Sequence, residues 1–293
     1  MRRSRAFIAI IGGVGFLVAA GCVGRQVAAA GRSKVVRVSV EPSYSLPTMN
    51  QKYRPLLKLL EQRTGYRIEM VSALSYGNYL STLEGARVDV GFMNPLAYLT
   101  THKTRGAYLL AKATDWKGLD QYRGVIIVRK GSRIRSCKDL RGRTIATISR
   151  RAPASYLSPR ARCVQDGMDP EQEATILPVG TLNEVVRKVL DGSVDAGFVR
   201  EEALAVVRDE MGTEERIEVL AYGPYVPTWC FAAFRDTDPA VAGAFQKALL
   251  ALDRRKAEDA EALEAAGSAG FAPASDHDYD AVRRMANDLR YPY

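Results

Sequence analysis

From residue 35 onward the apolar positions alternate between a strand period and a helix period. Val35 to Val40 carries the alternation and β-branched content of a strand. Tyr53, Leu56, Leu57, Leu59 and Leu60 then recur on one helical face, and Gly65 stands where that helix stops. The same reading predicts strands at Arg67 to Val71, Val88 to Phe92 and Ala107 to Ala113, with helices at Tyr76 to Glu84 and Pro95 to Lys103 between them. A second series follows, with strands at Tyr122 to Val128, Thr144 to Ile148, Thr175 to Leu177 and Val194 to Val199. Its helices are predicted at Ser155 to Asp166, Leu182 to Leu190 and Glu201 to Glu210. Strands at Ile217 to Tyr222 and Trp229 to Phe234 return the chain to the first series, and helices at Pro239 to Ala265 and Tyr279 to Leu289 finish it.

Strands alternating with helices argue for parallel strands with helical crossovers, an α/β fold. The two series also share a phrase. Leu83-Glu84-Gly85-Ala86-Arg87-Val88-Asp89-Val90-Gly91 is echoed by Val189-Leu190-Asp191-Gly192-Ser193-Val194-Asp195-Ala196-Gly197, each a helix end, a Gly-containing turn and a strand ending at Gly. Two such lobes with strand ends facing a cleft would hold a ligand where helix amino termini present unpaired N–H groups. The expected division is 1–21 leader, 22–33 linker, 34–127 with 223–293 as lobe 1, and 128–222 as lobe 2.

The amino terminus stands outside this pattern. Arg2, Arg3 and Arg5 precede a 15-residue apolar run from Ala6 to Ala20, then Gly21 and Cys22. That is the form of a secretory signal, and the run is shorter than the roughly 20 residues of a spanning helix. Ala19, Ala20 and Gly21 before Cys22 resemble a lipobox, in which the cysteine sulfur is acylated and becomes the first mature residue, anchoring the protein to a membrane. Loss of the leader removes three arginines and no acid, taking the formal net charge from +9 to +6. A basic balance suits an anionic ligand or membrane surface, export disfavours nucleic acid, and a scattered solvated surface is the plainer account. Cys137, Cys163 and Cys230 remain, an odd number without metal-ligand spacing; a Cys137 to Cys163 bridge is conceivable, and three buried thiols are the preferred reading.

Nucleotide, hydrolase and metalloprotease signatures are missing from the sequence, and His102 and His277 are its two histidines, which disfavours a histidine-based enzyme. No cofactor or metal is expected.

The chain resembles the phosphate/phosphite/phosphonate-binding family of ABC-transporter substrate-binding lipoproteins. The likeness rests on Lys52-Tyr53 to Leu60 with Glu61 and Thr64-Gly65, on Tyr76, and on Gly85 to Tyr98 with its Asn94-Pro95-Leu96-Ala97-Tyr98. Tyr122 to Val128, Asp139-Leu140-Arg141-Gly142, Tyr156-Leu157-Ser158-Pro159, Gly180 and Gly192 to Gly197 complete it. The resemblance implies a two-lobed type II periplasmic-binding-protein fold, each lobe a mainly parallel sheet flanked by helices, hinged around a central cleft and docking on a membrane permease. It implies that Tyr76 and Tyr122 point into the cleft, and Asn94 joins the candidate ligand set. The family's run of Ser and Thr before this Tyr-Leu is here Ala152-Pro153-Ala154-Ser155, so Ser155 keeps a hydroxyl and Arg150 and Arg151 could supply charge in its place. A solvated basic loop is the competing account of the two arginines. Glu202 matches a family acid, whereas Leu182 and Trp229 stand where the family often has a histidine and an acid, which argues against an aminoalkylphosphonate. The expected function is capture of a small oxyanion by a lipid-anchored monomer outside the membrane. The alternative is a sensory or interaction lipoprotein that keeps the fold and has changed its ligand.

Overall fold

The structure is a computed structural model that describes residues 34–42, 46–73, 78–85, 87–202, 204 and 215–293. Cys22, the leader, the linker and Tyr76 lie outside the described residues, as does most of the helix expected over Glu201 to Glu210.

Eleven described strands form two sheets. The first contains β1 (Val35–Val40), β2 (Arg67–Ser72), β3 (Val90–Met93), β4 (Tyr108–Thr114), β10 (Cys230–Ala233) and β11 (Gly270–Ala272), ordered β11-β4-β10-β3-β1-β2. The second contains β5 (Gln121–Arg129), β6 (Thr144–Thr147), β7 (Thr175–Pro178), β8 (Ala196–Arg200) and β9 (Ile217–Pro227), ordered β7-β6-β8-β5-β9. β1 is parallel to β2 and β3, and β6 is parallel to β7 and β8. In each sheet an antiparallel strand, β10 or β5, follows, so the arrangement β2-β1-β3-β10-β4 is repeated as β7-β6-β8-β5-β9.

Helices α1 (Leu46–Thr64), α2 (Tyr79–Gly85) and α3 (Pro95–Arg105) accompany the first sheet in sequence. With the second come α4 (Ser158–Gln165), the single turn α5 (Pro170–Glu173) and α6 (Leu182–Asp191). α7 (Pro239–Leu250), α8 (Ala257–Ala266) and α9 (Asp280–Asp288) close the chain. The predicted face of α1 is buried, Tyr53, Leu56, Leu57, Leu59 and Leu60 joining Val36, Val38 and Val90 in one core. Gly65, at φ 73°, ends the helix in the left-handed conformation that glycine adopts without steric cost.

The repeated phrase has the same mechanical role twice. Asp89 donates its N–H to the Arg37 carbonyl (2.8 Å) and accepts the Arg37 N–H on Oδ2 (2.7 Å). Asp195 does the same to Thr144, at 2.9 Å in each direction. Each aspartate thus fixes the third parallel strand beside the first. The glycine two residues on makes room for the preceding helix: a Cβ on Gly91 would lie 3.3 Å from the Tyr79 hydroxyl, and one on Gly197 would lie 2.7 Å from Val185 Cγ1.

Three expectations are corrected. β5 and β9 both belong wholly to the second sheet, so the chain crosses between sheets at 115–120 and 228–229. The expected boundaries at 127/128 and 222/223 would cut through these paired strands. The helix expected from Ser155 to Asp166 instead opens with a π-turn, Pro153–Leu157, in which Leu157 N–H reaches the Ala152 carbonyl at 3.2 Å. Pro159 supplies the reason: it has no N–H for the Ser155 carbonyl four residues back, and that carbonyl accepts the Thr147 hydroxyl at 2.5 Å. The long final helix breaks between α7 and α8, where buried Asp259 pairs with Arg63 and accepts the Asp253 N–H at 2.9 Å.

Candidate functional site

The carboxyl ends of β1, β3 and β8 and the amino ends of β5 and β10 bring together the polar residues that the two cores do not absorb. Glu41 follows β1 and is 2% exposed; Asn94 follows β3 and is 1% exposed. Asn94 donates its backbone N–H to Glu41 Oε2 (2.9 Å) and Nδ2 to Glu41 Oε1 (2.8 Å). Its own Oδ1 caps α3 by accepting the Ala97 N–H at 3.0 Å. The motif asparagine is therefore a structural joint between strand, helix and buried carboxylate.

Tyr122, on β5, marks where the two sheets' elements meet. It is buried in a cluster with Met93, Leu96 and Cys230 from the first sheet's elements and Ala154 and Leu157 from the second's. Burial holds its phenol well above the ordinary value; Arg200 opposes this, Glu202 and Glu41 add to it, and the Trp229 side chain bonds to the hydroxyl. The group stays protonated and is an O–H donor at any physiological pH. Arg200 is the last residue of β8 and pairs across the sheet with Gly124, two residues from Tyr122.

Ser155 sits in the π-turn and is 2% exposed. Its hydroxyl has no hydrogen-bond partner among the described residues, whereas its carbonyl is held by Thr147. The first amides of a helix have no acceptors within it, so this turn presents N–H groups beside an unsatisfied buried hydroxyl. The turn is pressed close to the sheet: Ser158 Oγ accepts the Gly124 N–H (3.1 Å) and donates to the Pro224 carbonyl (2.7 Å), and a Cβ on Gly124 would stand 1.9 Å from the Ala154 carbonyl oxygen.

The two arginines of the preceding loop, Arg150 and Arg151, differ in their surroundings. Arg150 is engaged with Glu171 at 3.1 Å, and Glu171 also accepts the Tyr156 hydroxyl. It lines a groove of about 620 Å³ with Tyr156, Arg160 and Tyr291, and its charge is already matched. Arg151 is exposed and its backbone N–H bonds Ser149 Oγ at 3.1 Å. Glu202 is an exposed residue whose carboxyl is raised above its ordinary value, first by desolvation, against its own backbone N–H and Arg200, with Glu201 and Asp115 adding. Glu201 itself is clamped by Arg123 at 2.6 and 2.9 Å.

Glu41, Thr147 and Arg200 were missed from the sequence. The signal for Arg200 was present: continuing the repeated phrase three residues past Gly91 and Gly197 sets Asn94 against Arg200. Glu41 carried no such signal, since an acid after a strand reads as a solvated turn. Among the described residues no cluster of three or more His, Cys, Asp or Glu is placed to hold a metal ion, and no helix is long and apolar enough to cross a membrane.

Residues 38–279 match the family described as ABC transporter, phosphonate, periplasmic substrate-binding protein. The phosphate-import protein PhnD of Mycolicibacterium smegmatis is 23% identical over 296 residues, covering 92% of each chain. PhnD1 of Prochlorococcus marinus, solved with methylphosphonate, superposes with a TM-score of 0.77 at 14% identity over 88% of this chain and 99% of its own. A binding-protein component of an ABC phosphonate transporter from Pseudomonas aeruginosa gives 0.76 at 17% identity, over 88% and 87%.

Proposed function

The chain belongs to the family of phosphonate-type periplasmic substrate-binding proteins of ABC transporters, and from that premise we propose that it captures a small tetrahedral oxyanion between its two sheets and presents it to a permease. The phosphate, phosphite and phosphonate class fits, in keeping with the phosphate-import relative and with the methylphosphonate held by the Prochlorococcus protein. One observation carries the reading: a buried Ser155 hydroxyl without a partner among the described residues, at a turn whose first amides are free of helical acceptors. An unsatisfied buried hydroxyl costs roughly 1–3 kcal/mol, which a ligand oxygen would recover.

In this reading Tyr122 donates its hydroxyl, Arg200 supplies the charge that the family's Ser/Thr run lacks here, and Asn94 holds the frame. Tyr76, which lies outside the described residues, adds a second phenol in this reading. Arg150 and Arg151 contribute a basic approach. The two sheets with their helices act as lobes that close on the ligand about the crossings at 115–120 and 228–229. Acylation of Cys22 tethers a monomer to the outer face of a bacterial membrane.

A melting-temperature screen against phosphate, phosphite, methylphosphonate and sulfate tests this. At 100 times Kd a ligand adds roughly 2.7 kcal/mol of stability, a readily measured shift. Arg200→Ala is expected to weaken binding of the best anion by about tenfold or more, near 1.4 kcal/mol. No stabilisation by any of the four at millimolar concentration overturns the proposal.

A further inference from the structure

Ligand capture leaves two buried thiols of the second half without a role. Cys137 opens the 3-10 turn Cys137–Leu140, and Cys163 lies on the buried side of α4. They are 1% and 0% exposed and share one core cluster with Ile134, Leu140, Tyr156 and Met168. The 3-10 turn packs against α4, and both cysteines are free thiols. Cys230 is not a competitor: it sits on β10 in the other sheet, in a different cluster, with its thiol directed to the Met93 carbonyl.

We propose that Cys137 and Cys163 close a disulfide in the extracytoplasmic compartment where this family works, stapling the turn before β6 to helix α4. The enclosed segment, 138–162, contains β6, Thr147 and the π-turn with Ser155. The staple therefore fixes both flanks of the turn that offers donors to the ligand.

The oxidant is a small or protein disulfide. One cysteine thiolate attacks it and expels a thiolate, forming a mixed disulfide; the second cysteine thiolate attacks that and expels the other. Two electrons pass to the oxidant, whose two leaving thiolates take up the two protons. This exchange needs thiolate and access. In the folded chain neither thiol is exposed, and the neighbouring Cys137 side chain together with burial holds the Cys163 thiol far above its ordinary value. Bridge formation belongs to the folding chain, so the redox state is fixed by the compartment in which folding takes place.

The full chain, unfolded in guanidinium chloride and refolded with either oxidised or reduced glutathione, provides the test. After alkylation in denaturant and tryptic digestion, the oxidised sample is expected to yield peptide 136–138 joined to 163–187, about 2 Da lighter than the two free thiol peptides together. The bridged protein should melt roughly 5–10 °C above the reduced one. That gap should vanish in the Cys137→Ser/Cys163→Ser double variant. Alkylation of both cysteines in the oxidised sample, or a bridge to Cys230 or Cys22, overturns the assignment. Equal melting of the bridged and reduced wild type overturns the stapling role, and peptide mapping of the wild type decides the bond even where the double variant does not fold.

Discussion

The two halves are built on one plan and part company at a single step beyond it. Asp89 and Asp195 clamp neighbouring strands with the same pair of bonds, and Gly91 and Gly197 admit the helix before them. Three residues past each glycine the first half has Asn94 and the second Arg200. Asn94 donates its N–H and its amide to the carboxylate of Glu41, whereas the charge of Arg200 acts on the Tyr122 phenol and the carboxyl of Glu202. Scaffold positions tolerate little change because each satisfies a buried backbone group. The residue at the strand end has no task shared by the two halves: Asn94 caps α3 and holds Glu41, while Arg200 carries charge.

Removing the sealed carboxylate should break the comparison hardest. Glu41→Ala removes the acceptor of the Asn94 N–H and one acceptor of its amide in a buried site, a loss of about 2–4 kcal/mol by denaturant unfolding. A loss under about 0.5 kcal/mol would mean that Asn94 is not anchored by this acid. The clamps come next. Asp89→Ala and Asp195→Ala should each cost about 1–2 kcal/mol, alike within about 0.5 kcal/mol and additive in the double variant, since they act in separate sheets. A large asymmetry would show that the repeat is one of sequence and not of mechanics.

Most of the fold was legible because periodicity reports burial directly. The predicted face of α1 is the buried face, and the Gly65 stop is a left-handed residue. What periodicity cannot convey is which sheet a strand joins. The apolar runs of β5 and β9 read as ordinary strands, and only their mutual pairing puts both in the second sheet. The π-turn escaped for a related reason, since the effect of Pro159 on the Ser155 carbonyl depends on Thr147, from another strand. At the site, Tyr122 and Ser155 were singled out through family likeness. A sequence shows the charge of Arg150 and not its partner, here Glu171.

The smallest expected effect separates the two acids at the strand ends. Glu41 is enclosed by Asn94, while Glu202 is solvent-facing with a pKa raised above 4.5, mainly by desolvation and opposed by its own backbone N–H and Arg200. A carboxyl raised in the folded state contributes stability fully present below its unfolded value and lost as pH rises through the folded one. Anion affinity follows the same sign: below the raised value Glu202 is neutral and sets no charge against the ligand, and above it a second negative charge acts on the ligand. Across the window from about pH 4.5 upward, in which methylphosphonate remains a monoanion, wild-type affinity should fall by only about two- to threefold, because solvent screens so exposed a group. Glu202→Gln should flatten that slope without altering the protein's melting at neutral pH by more than a degree or two. Titration calorimetry at three pH values is sufficient, and an identical slope in both proteins would place Glu202 outside the ligand's field and leave Arg200 as the sole charge by which the second half departs from the first.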